Sequence, residues 1–348
     1  MSVPVISLEA CRDGANLREA LLDCGLVVVS GVFTQCSPER DALDEAVLTS
    51  LSFFHLSTED KICYVSKDRA RRGYCATSTE NFASLIGQKN VNDAVEKFRI
   101  GPQLTEDDVE YLSTKASRIH FYPDVAEAPH YRSLRKYYEA VIRVVPVLVQ
   151  AVDEAFGLSG KVQNSVDTRH TSILAANFYP AAPAPAPDPA SAPAPAAAAA
   201  AGEMVVAISP HTDVSLFTLI AATGPGLQVQ SASTGRWLDV PHIEDSLIFN
   251  LGDCLCDLSQ ARLNGAHSAL HRALAWPCPN PNPNPHRALA SACEGESVPR
   301  LSLALFVTPR HDAVLGWPGL PTDACTYDDG RKQKVKRCMQ IAKGAIPT

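Results

Sequence analysis

At 348 residues the chain can bury a large core, in one big domain or in one domain with an appendage. Its hydrophobic content of 46% is ordinary for a soluble globular protein, and its net charge of -7 disfavours nucleic acid, which wants a basic face. The opening MSVPVISLEACRDGANL has no basic start followed by an apolar run, and outside an Ala/Pro tract no stretch is apolar enough to span a membrane, so a cytoplasmic enzyme is expected.

In chain order, residues 3–8 read as a short strand. Residues 14–24 read as a helix with Leu17, Leu21 and Leu22 on one face, stopped by Gly25, and Leu26 to Val29 as a buried strand. Residues 38–53 are again helical, and residues 69–92 are polar and loop-rich. A long helix is predicted from Tyr131 to Phe156, kinked or restarted at Pro146 and ended by Gly157 and Gly160. Beyond residue 170 short strand-like runs alternate with turns, at 171–179, 205–208, 215–221, 226–230, 236–240, 246–250, 268–275 and 300–307. That rhythm suggests a β-barrel or a two-sheet jelly roll.

Two inserts interrupt the strands. Residues 181–201 are nearly pure Ala and Pro, and residues 277–299 are rich in Pro and Asn. The second repeats His271-Arg-Ala-Leu-Ala as His286-Arg-Ala-Leu-Ala. There are 11 cysteines with no CxxC pair, which reads as reduced, mostly buried thiols, and Cys254 and Cys256 lie in a strand-like run. The expected regions are 1–125 (helix-rich, opening on a strand), 126–165 (a linking helix), 166–312 (the catalytic jelly roll with both inserts) and 313–348 (a helical tail).

Three polar pairs stand two residues apart in strand-like segments: Asn177 with Tyr179, His211 with Asp213, and Arg300 with Ser302. Alternate residues of a strand share a face, so all six side chains enter one lumen if that face is the inside of a barrel. Burying them is costly unless a metal or ligand satisfies them. Two imidazoles and one carboxylate, with His271 as the third ligand, suit iron(II) with positions left open. Arg300 offers a fork that matches a carboxylate. His286 is an alternative third ligand, disfavoured because alternating Pro and Asn cannot easily run into a central strand. His267 and His242 read as solvent-facing, His170 as opening a strand, and Phe306 and the region of Tyr74 as candidates for the pocket wall.

The run Ile208-Ser-Pro-His-Thr-Asp213, then Gly226-Leu-Gln-Val229, Trp237, Asn250-Leu-Gly-Asp253, Asn264-Gly265, Ser268-Ala-Leu-His-Arg272 and Arg300-Leu-Ser-Leu-Ala-Leu-Phe306 resembles the isopenicillin N synthase-like branch of the 2-oxoglutarate- and iron(II)-dependent dioxygenases. Asn177-Phe-Tyr-Pro180, Arg72-Gly-Tyr74 and Asp93-x-x-Glu96-x-Phe98 are similar to that family's upstream segments. The resemblance implies a double-stranded β-helix, or jelly roll, flanked by helices. It implies that His211, Asp213 and His271 bind Fe(2+), that Arg300 and Ser302 hold the far carboxylate of 2-oxoglutarate, and that Asn177 and Tyr179 add hydrogen bonds to it. The implied reaction uses O2, converts 2-oxoglutarate to succinate and CO2, and hydroxylates, desaturates or demethylates a small organic molecule, with ascorbate as a candidate reductant. A same-fold oxidase without 2-oxoglutarate, or a non-enzymatic metal-binding interaction protein, are the competing expectations. Oligomeric state is silent in the sequence.

Overall fold

The computed structural model describes residues 2–66, 72–88, 92–114, 124–180, 205–258, 267–275, 299–315 and 325–342. The Ala/Pro insert, nearly all of the Pro/Asn insert, and with it His286, lie outside the described residues.

In the N-terminal third the apolar period changes every few residues, and the elements change with it. β1 (Val5–Ser7) is cut short of the expected strand because Ser7 caps α1 (Leu8–Cys11), its Oγ accepting the Ala10 amide at 3.0 Å. α2 (Gly14–Leu21) and β2 (Leu26–Ser30) follow. α3 (Pro38–Phe54) starts on a Ser37 cap, with a proline in its first turn and Glu39 and Asp41 at its positive end. Then come α4 (Thr58–Ile62), β3 (Gly73–Cys75), a 3-10 turn over Phe82–Ile86, β4 (Glu96–Ile100) and α5 (Glu106–Ser113). The stretch expected to be loop-rich thus holds a strand and a helical turn where it is described. The long helix breaks into α6 (Tyr131–Ile142) and α7 (Val145–Ala155), with Pro146 in the first turn of the second, so the restart is the outcome. α8 (Lys161–Ser165) completes this part.

Eight strands then follow at the eight predicted places: β5 (Ile173–Tyr179), β6 (Val205–His211), β7 (Phe217–Ala222), β8 (Leu227–Gln230), β9 (Trp237–Asp239), β10 (Leu247–Leu251), β11 (His271–Ala275) and β12 (Arg300–Val307). Cys254 and Cys256 belong to a helix, α9 (Asp253–Leu258), not to a strand. Cys254, Leu255 and Leu258 are buried together, a helical spacing that outweighs the strand-like composition. β13 (Val314–Leu315) and β14 (Cys325–Thr326) pair before α10 (Tyr327–Ala342).

The strands form an eight-stranded sheet, ordered β1-β2-β10-β7-β12-β5-β4-β3, and a four-stranded sheet, ordered β6-β11-β8-β9. Together they make the jelly roll. The N-terminal region is not a separate helical cap: it supplies both edges of the larger sheet, β1 and β2 on one side and β4 and β3 on the other. Residues on the sheet alternate strictly. Leu301, Leu303 and Leu305, with Phe98, Phe178 and Leu219, pack outward against α2, α3, α6 and α7 in one large core. Arg300, Ser302, Ala304 and Phe306 face the lumen instead. At one end a smaller apolar cluster of Leu26, Val28, Ile220, Leu227, Val229 and Ile248 joins the two sheets.

Candidate active site

His211 ends β6 and His271 begins β11, and the two are register partners on the four-stranded sheet. The ladder between these strands slips on either side of Ala273, and such bulges re-aim side chains beside active sites. β6 lies at the sheet edge, which is why Pro210, with no amide to donate, is tolerated next to His211. Asp213 lies just past the strand. One ligand atom from each of His211, Asp213 and His271 falls within 4.8 Å of the others, and all three residues are buried. Nε2 of His211 is 3.7 Å from Asp213 Oδ1, and Nε2 of His271 is 3.9 Å from Oδ2.

Each imidazole donates its Nδ1–H to the carbonyl two residues before it: His211 to Ser209 at 2.8 Å and His271 to Ala269 at 2.9 Å. That fixes the tautomer in which Nε2 carries a lone pair into the cavity. Burial, reinforced by the neighbouring His271, pushes the His211 pKa well below the usual imidazole value, so the ring stays neutral as a ligand must. Burial works against charge on Asp213, but His271, His211, Thr218 and Asn250 outweigh it and hold its pKa below the ordinary carboxylate range.

Asp213 is positioned by a second layer whose roles the sequence did not reveal. Its Oδ2 accepts Thr218 Oγ1 at 2.6 Å and Asn250 Nδ2 at 3.0 Å. Asp253 donates its amide to the Asp213 carbonyl at 2.8 Å, and its Oδ2 accepts the Thr212 hydroxyl at 3.1 Å. Gly252 is required here, since a Cβ on it would collide with the Ser215 carbonyl oxygen. The segment Asn250-Leu-Gly-Asp253 therefore clamps the loop that carries His211 and Asp213. The motif was visible in the sequence, but its partner was not.

Across the lumen, Arg300 is the register partner of Tyr179, and Ser302 of Asn177. All four are buried. The Tyr179 hydroxyl and Asn177 Nδ2 each lie 3.4 Å from Ser302 Oγ, and the guanidinium sits 4.7 Å from the Tyr179 ring centroid. Arg300 Nε donates to the Gly224 carbonyl at 3.1 Å, while its buried Nη1 has no protein partner. The seven sequence-predicted residues thus line one cavity. Phe306 lines it too, as do Phe82, Lys97 and Arg99, which the sequence did not single out.

Three other sequence expectations, those for His267, His242 and Tyr74, are corrected. His267 is half-buried rather than solvent-facing, its ring nitrogens bonded to the carbonyls of Ser268 and Asp23, both at 2.9 Å. His242 is also half-buried, with Nε2 donating to the Ala222 carbonyl at 2.9 Å. His170 bridges Asp167 and Asp108, at 2.6 and 3.2 Å, away from the cavity lining. Tyr74 packs in the helix-side core and donates to Glu96 at 2.5 Å, so it does not line the pocket.

Comparison with known proteins decides the family. Residues 170–309 match the model of the 2OG-Fe(II) oxygenase superfamily, and residues 3–124 match that of the non-haem dioxygenase in morphine synthesis N-terminal region. The chain belongs to the 2OG-Fe(II) oxygenase superfamily. The oxygenase is 25% identical over 340 residues to gibberellin 20 oxidase 2 of Oryza sativa subsp. indica, covering 94% of this chain and 73% of that one. Its similarity to feruloyl CoA ortho-hydroxylase 2 of Arabidopsis thaliana is higher but local, 33% over 115 residues, and takes in 33% of this chain and 26% of that enzyme. Its fold is shared with a full-length Neurospora crassa protein solved in complex with alpha-KG, at 20% identity and a TM-score of 0.65, covering 97% of this chain and 95% of that one. The oxygenase is accordingly an oxidoreductase of the 2-oxoglutarate- and iron(II)-dependent dioxygenase class. No helix among the described residues is long and apolar enough to cross a membrane.

Proposed function

We propose that His211, Asp213 and His271 hold iron(II), that Arg300 and Ser302 hold the far carboxylate of 2-oxoglutarate, and that the oxygenase oxidises a small organic molecule beside them. The observation that carries this reading is the unspent donor of Arg300. A guanidinium that is only 5% exposed, with one nitrogen on a carbonyl and another without a protein partner, is complete only when it meets an anion. A planar carboxylate matches its fork, and Ser302 Oγ, with Asn177 and Tyr179 behind it, supplies a further donor.

The donor set fits iron. Two neutral imidazoles and one carboxylate are the protein ligands of open iron(II) sites. Iron, when bound, supplies the activation of dioxygen that drives oxidation of the substrate. The chain's own work is positioning. The Ser209 and Ala269 carbonyls keep both Nε2 atoms aimed inward. Thr218 and Asn250 occupy Asp213 Oδ2, which leaves Oδ1 for the metal. Ile208, Leu227 and Phe306 give the lumen an apolar side. Gibberellin 20 oxidase and feruloyl CoA hydroxylase, by their names, act on small molecules, and we extend that to this chain. We also place it in the cytosol, where cysteines stay reduced: the eight cysteines whose side chains are described are free. We read 1–125, 126–165, 166–312 and 313–348 as regions of one catalytic unit, because the first supplies strands to the sheet of the third.

The test is succinate release from 2-oxoglutarate by the iron-loaded protein, with and without ascorbate. Release that requires iron and 2-oxoglutarate supports the reading. Substrate turnover that proceeds without 2-oxoglutarate would mark the same-fold oxidase instead. Bound iron with no decarboxylation would mark a non-enzymatic protein.

A further inference from the structure

Two cations in the cavity are left over once the metal ligands and the 2-oxoglutarate residues have been assigned. β4 lies between β5 and the edge strand β3 of the eight-stranded sheet, and its inward residues are Lys97 and Arg99. Lys97 is the register partner of Asn177, in the same cross-strand row as Ser302. Arg99 continues the next row, opposite Ala175. Lys97 is 2% exposed, and its ammonium sits 3.7 Å from the centroid of the Phe82 ring, whose own centroid is 4.7 Å from that of His211. A single aromatic ring therefore separates this ammonium from a metal ligand.

One carboxylate serves both cations. Glu80 Oε2 accepts Lys97 Nζ at 2.8 Å, while Arg99 grips Glu80 through both oxygens at 3.0 and 2.6 Å. Asp93 is also near, but its two oxygens accept the backbone amides of Phe82 at 2.6 Å and Ser209 at 2.8 Å. Glu80 and Asp93 match the two cations in charge, but the Lys97 ammonium carries three N–H donors and makes one hydrogen bond, so two donors remain for a ligand in the lumen. Burial, and then the adjacent Arg99, bring the Lys97 pKa down to about 8, against the opposing pull of Glu80 and Asp93. The rest of the lining is apolar, with Phe82, Ile208, Leu227 and Phe306.

We propose that the substrate is an apolar carbon frame bearing a carboxylate, and that Lys97 and Arg99 bind that carboxylate while the frame lies along Phe82 toward the metal ligands. This rests on the 2-oxoglutarate and iron reading above. It gives the cavity two separate anion subsites: Arg300 for the co-substrate and the β4 pair for the substrate. The β4 pair selects which molecules are held near the metal.

The experiment measures binding to the full-length protein, loaded anaerobically with iron(II) and 2-oxoglutarate, of benzoate, cinnamate, decanoate and dodecanoate, each beside its methyl ester. At least one acid is expected to bind about tenfold or more tightly than its ester, the worth of a desolvated charge contact. In Lys97→Gln that ratio should fall to about one, and Lys97→Arg should restore most of it. Arg99→Gln should lower it in part, and keeps the test alive if Lys97→Gln melts too low to assay. Absence of acid preference in every pair overturns the proposal. So does an unchanged ratio in Lys97→Gln accompanied by weaker 2-oxoglutarate binding, since that would assign the lysine to the co-substrate. Iron-dependent succinate release, measured on the same samples once air is admitted, reports separately on the reading beneath.

Discussion

The two walls of the cavity are built by different means. On the four-stranded sheet, His211 and His271 face each other as register partners, neutral, tautomer-fixed and backed by a clamp on Asp213. On β4 of the eight-stranded sheet, Lys97 and Arg99 face the same space as charged groups sharing one carboxylate. The first wall is satisfied internally except at the positions a metal would fill. The second holds a buried ammonium that makes a single hydrogen bond. The metal wall thus has the features any reaction of this class requires, and the β4 wall has features particular to one kind of ligand. Substitutions should divide accordingly, into those that abolish all turnover and those that change what is turned over.

The largest break should come at the metal wall. His211→Ala removes an Nε2 donor from the buried triad. We expect iron binding and succinate release to fall by well over 100-fold, more than the 10- to 100-fold typical of losing a supporting residue. Iron stoichiometry after gel filtration, together with succinate release, checks this. Retained succinate formation would remove His211 from the ligand set. Arg300→Gln comes next. It keeps a polar side chain but loses the charged fork, and truncating one partner of a buried ion pair costs about 2–5 kcal/mol. The KM for 2-oxoglutarate should rise about 100-fold with iron binding intact. An unchanged KM would show that the guanidinium does not meet the co-substrate.

These two residues were also the most legible in the sequence, for a physical reason. Spacing of two within a strand fixes a shared face, and an arginine flanked by Leu301, Leu303 and Leu305 has to be buried. His271 needed one long-range pairing, which its strand-like surroundings suggested and the β6–β11 ladder supplies. What the sequence hid depends on tertiary register. Lys97 and Arg99 flank Phe98 in a motif noticed for its Glu96 and Phe98, but only the pairing of β4 with β5 turns them into the lumen. Likewise, reading the N-terminal region as mainly helical missed that it completes both edges of the catalytic sheet. His267 and His242 were misjudged because turn residues are ordinarily exposed, whereas here their rings satisfy the carbonyls of Asp23 and Ala222.

A finer test separates a ligand from its support. Asn250→Ala frees Asp213 Oδ2 from one of its two donors and leaves His211, Asp213 and His271 in place. Iron affinity should fall about 10- to 100-fold, and turnover should recover at high iron. Failure of added iron to restore turnover would mean that Asn250 holds the fold of the loop rather than the carboxylate alone. Thr218→Val should give the same pattern through the other donor.

The smallest expected effect on turnover sharpens the comparison from outside the cavity, with a third buried imidazole, one that does no ligand work. His130 is fully buried under α3, stacked on Phe53 at 4.0 Å and edge-on to Phe98 at 4.3 Å. Neither of its ring nitrogens has a protein partner, unlike the anchored ring of His211. Burial pushes its pKa from 6.5 down to about 3. Above pH 6.5 the ring is neutral in both the folded and the unfolded chain and contributes no pH dependence. Below it the unfolded chain takes up a proton that the folded state refuses, so stability falls as the pH drops from about 6.5 toward 3. At pH 5 the deficit is about 2 kcal/mol, from roughly 1.5 units of unequal titration at 1.36 kcal/mol each. His130→Phe keeps the aromatic packing and removes the titration. Urea unfolding at pH 7.5 and at pH 5 should therefore show the variant losing about 2 kcal/mol less than the parent on acidification, because the carboxylates common to both chains cancel in the difference. Turnover at neutral pH should be unaltered, since His130 touches no residue of the cavity lining. Equal acid losses in the two proteins would mean that the buried ring finds its proton in the folded state after all, and that neutrality in this chain is enforced by the metal wall's anchored geometry rather than by burial.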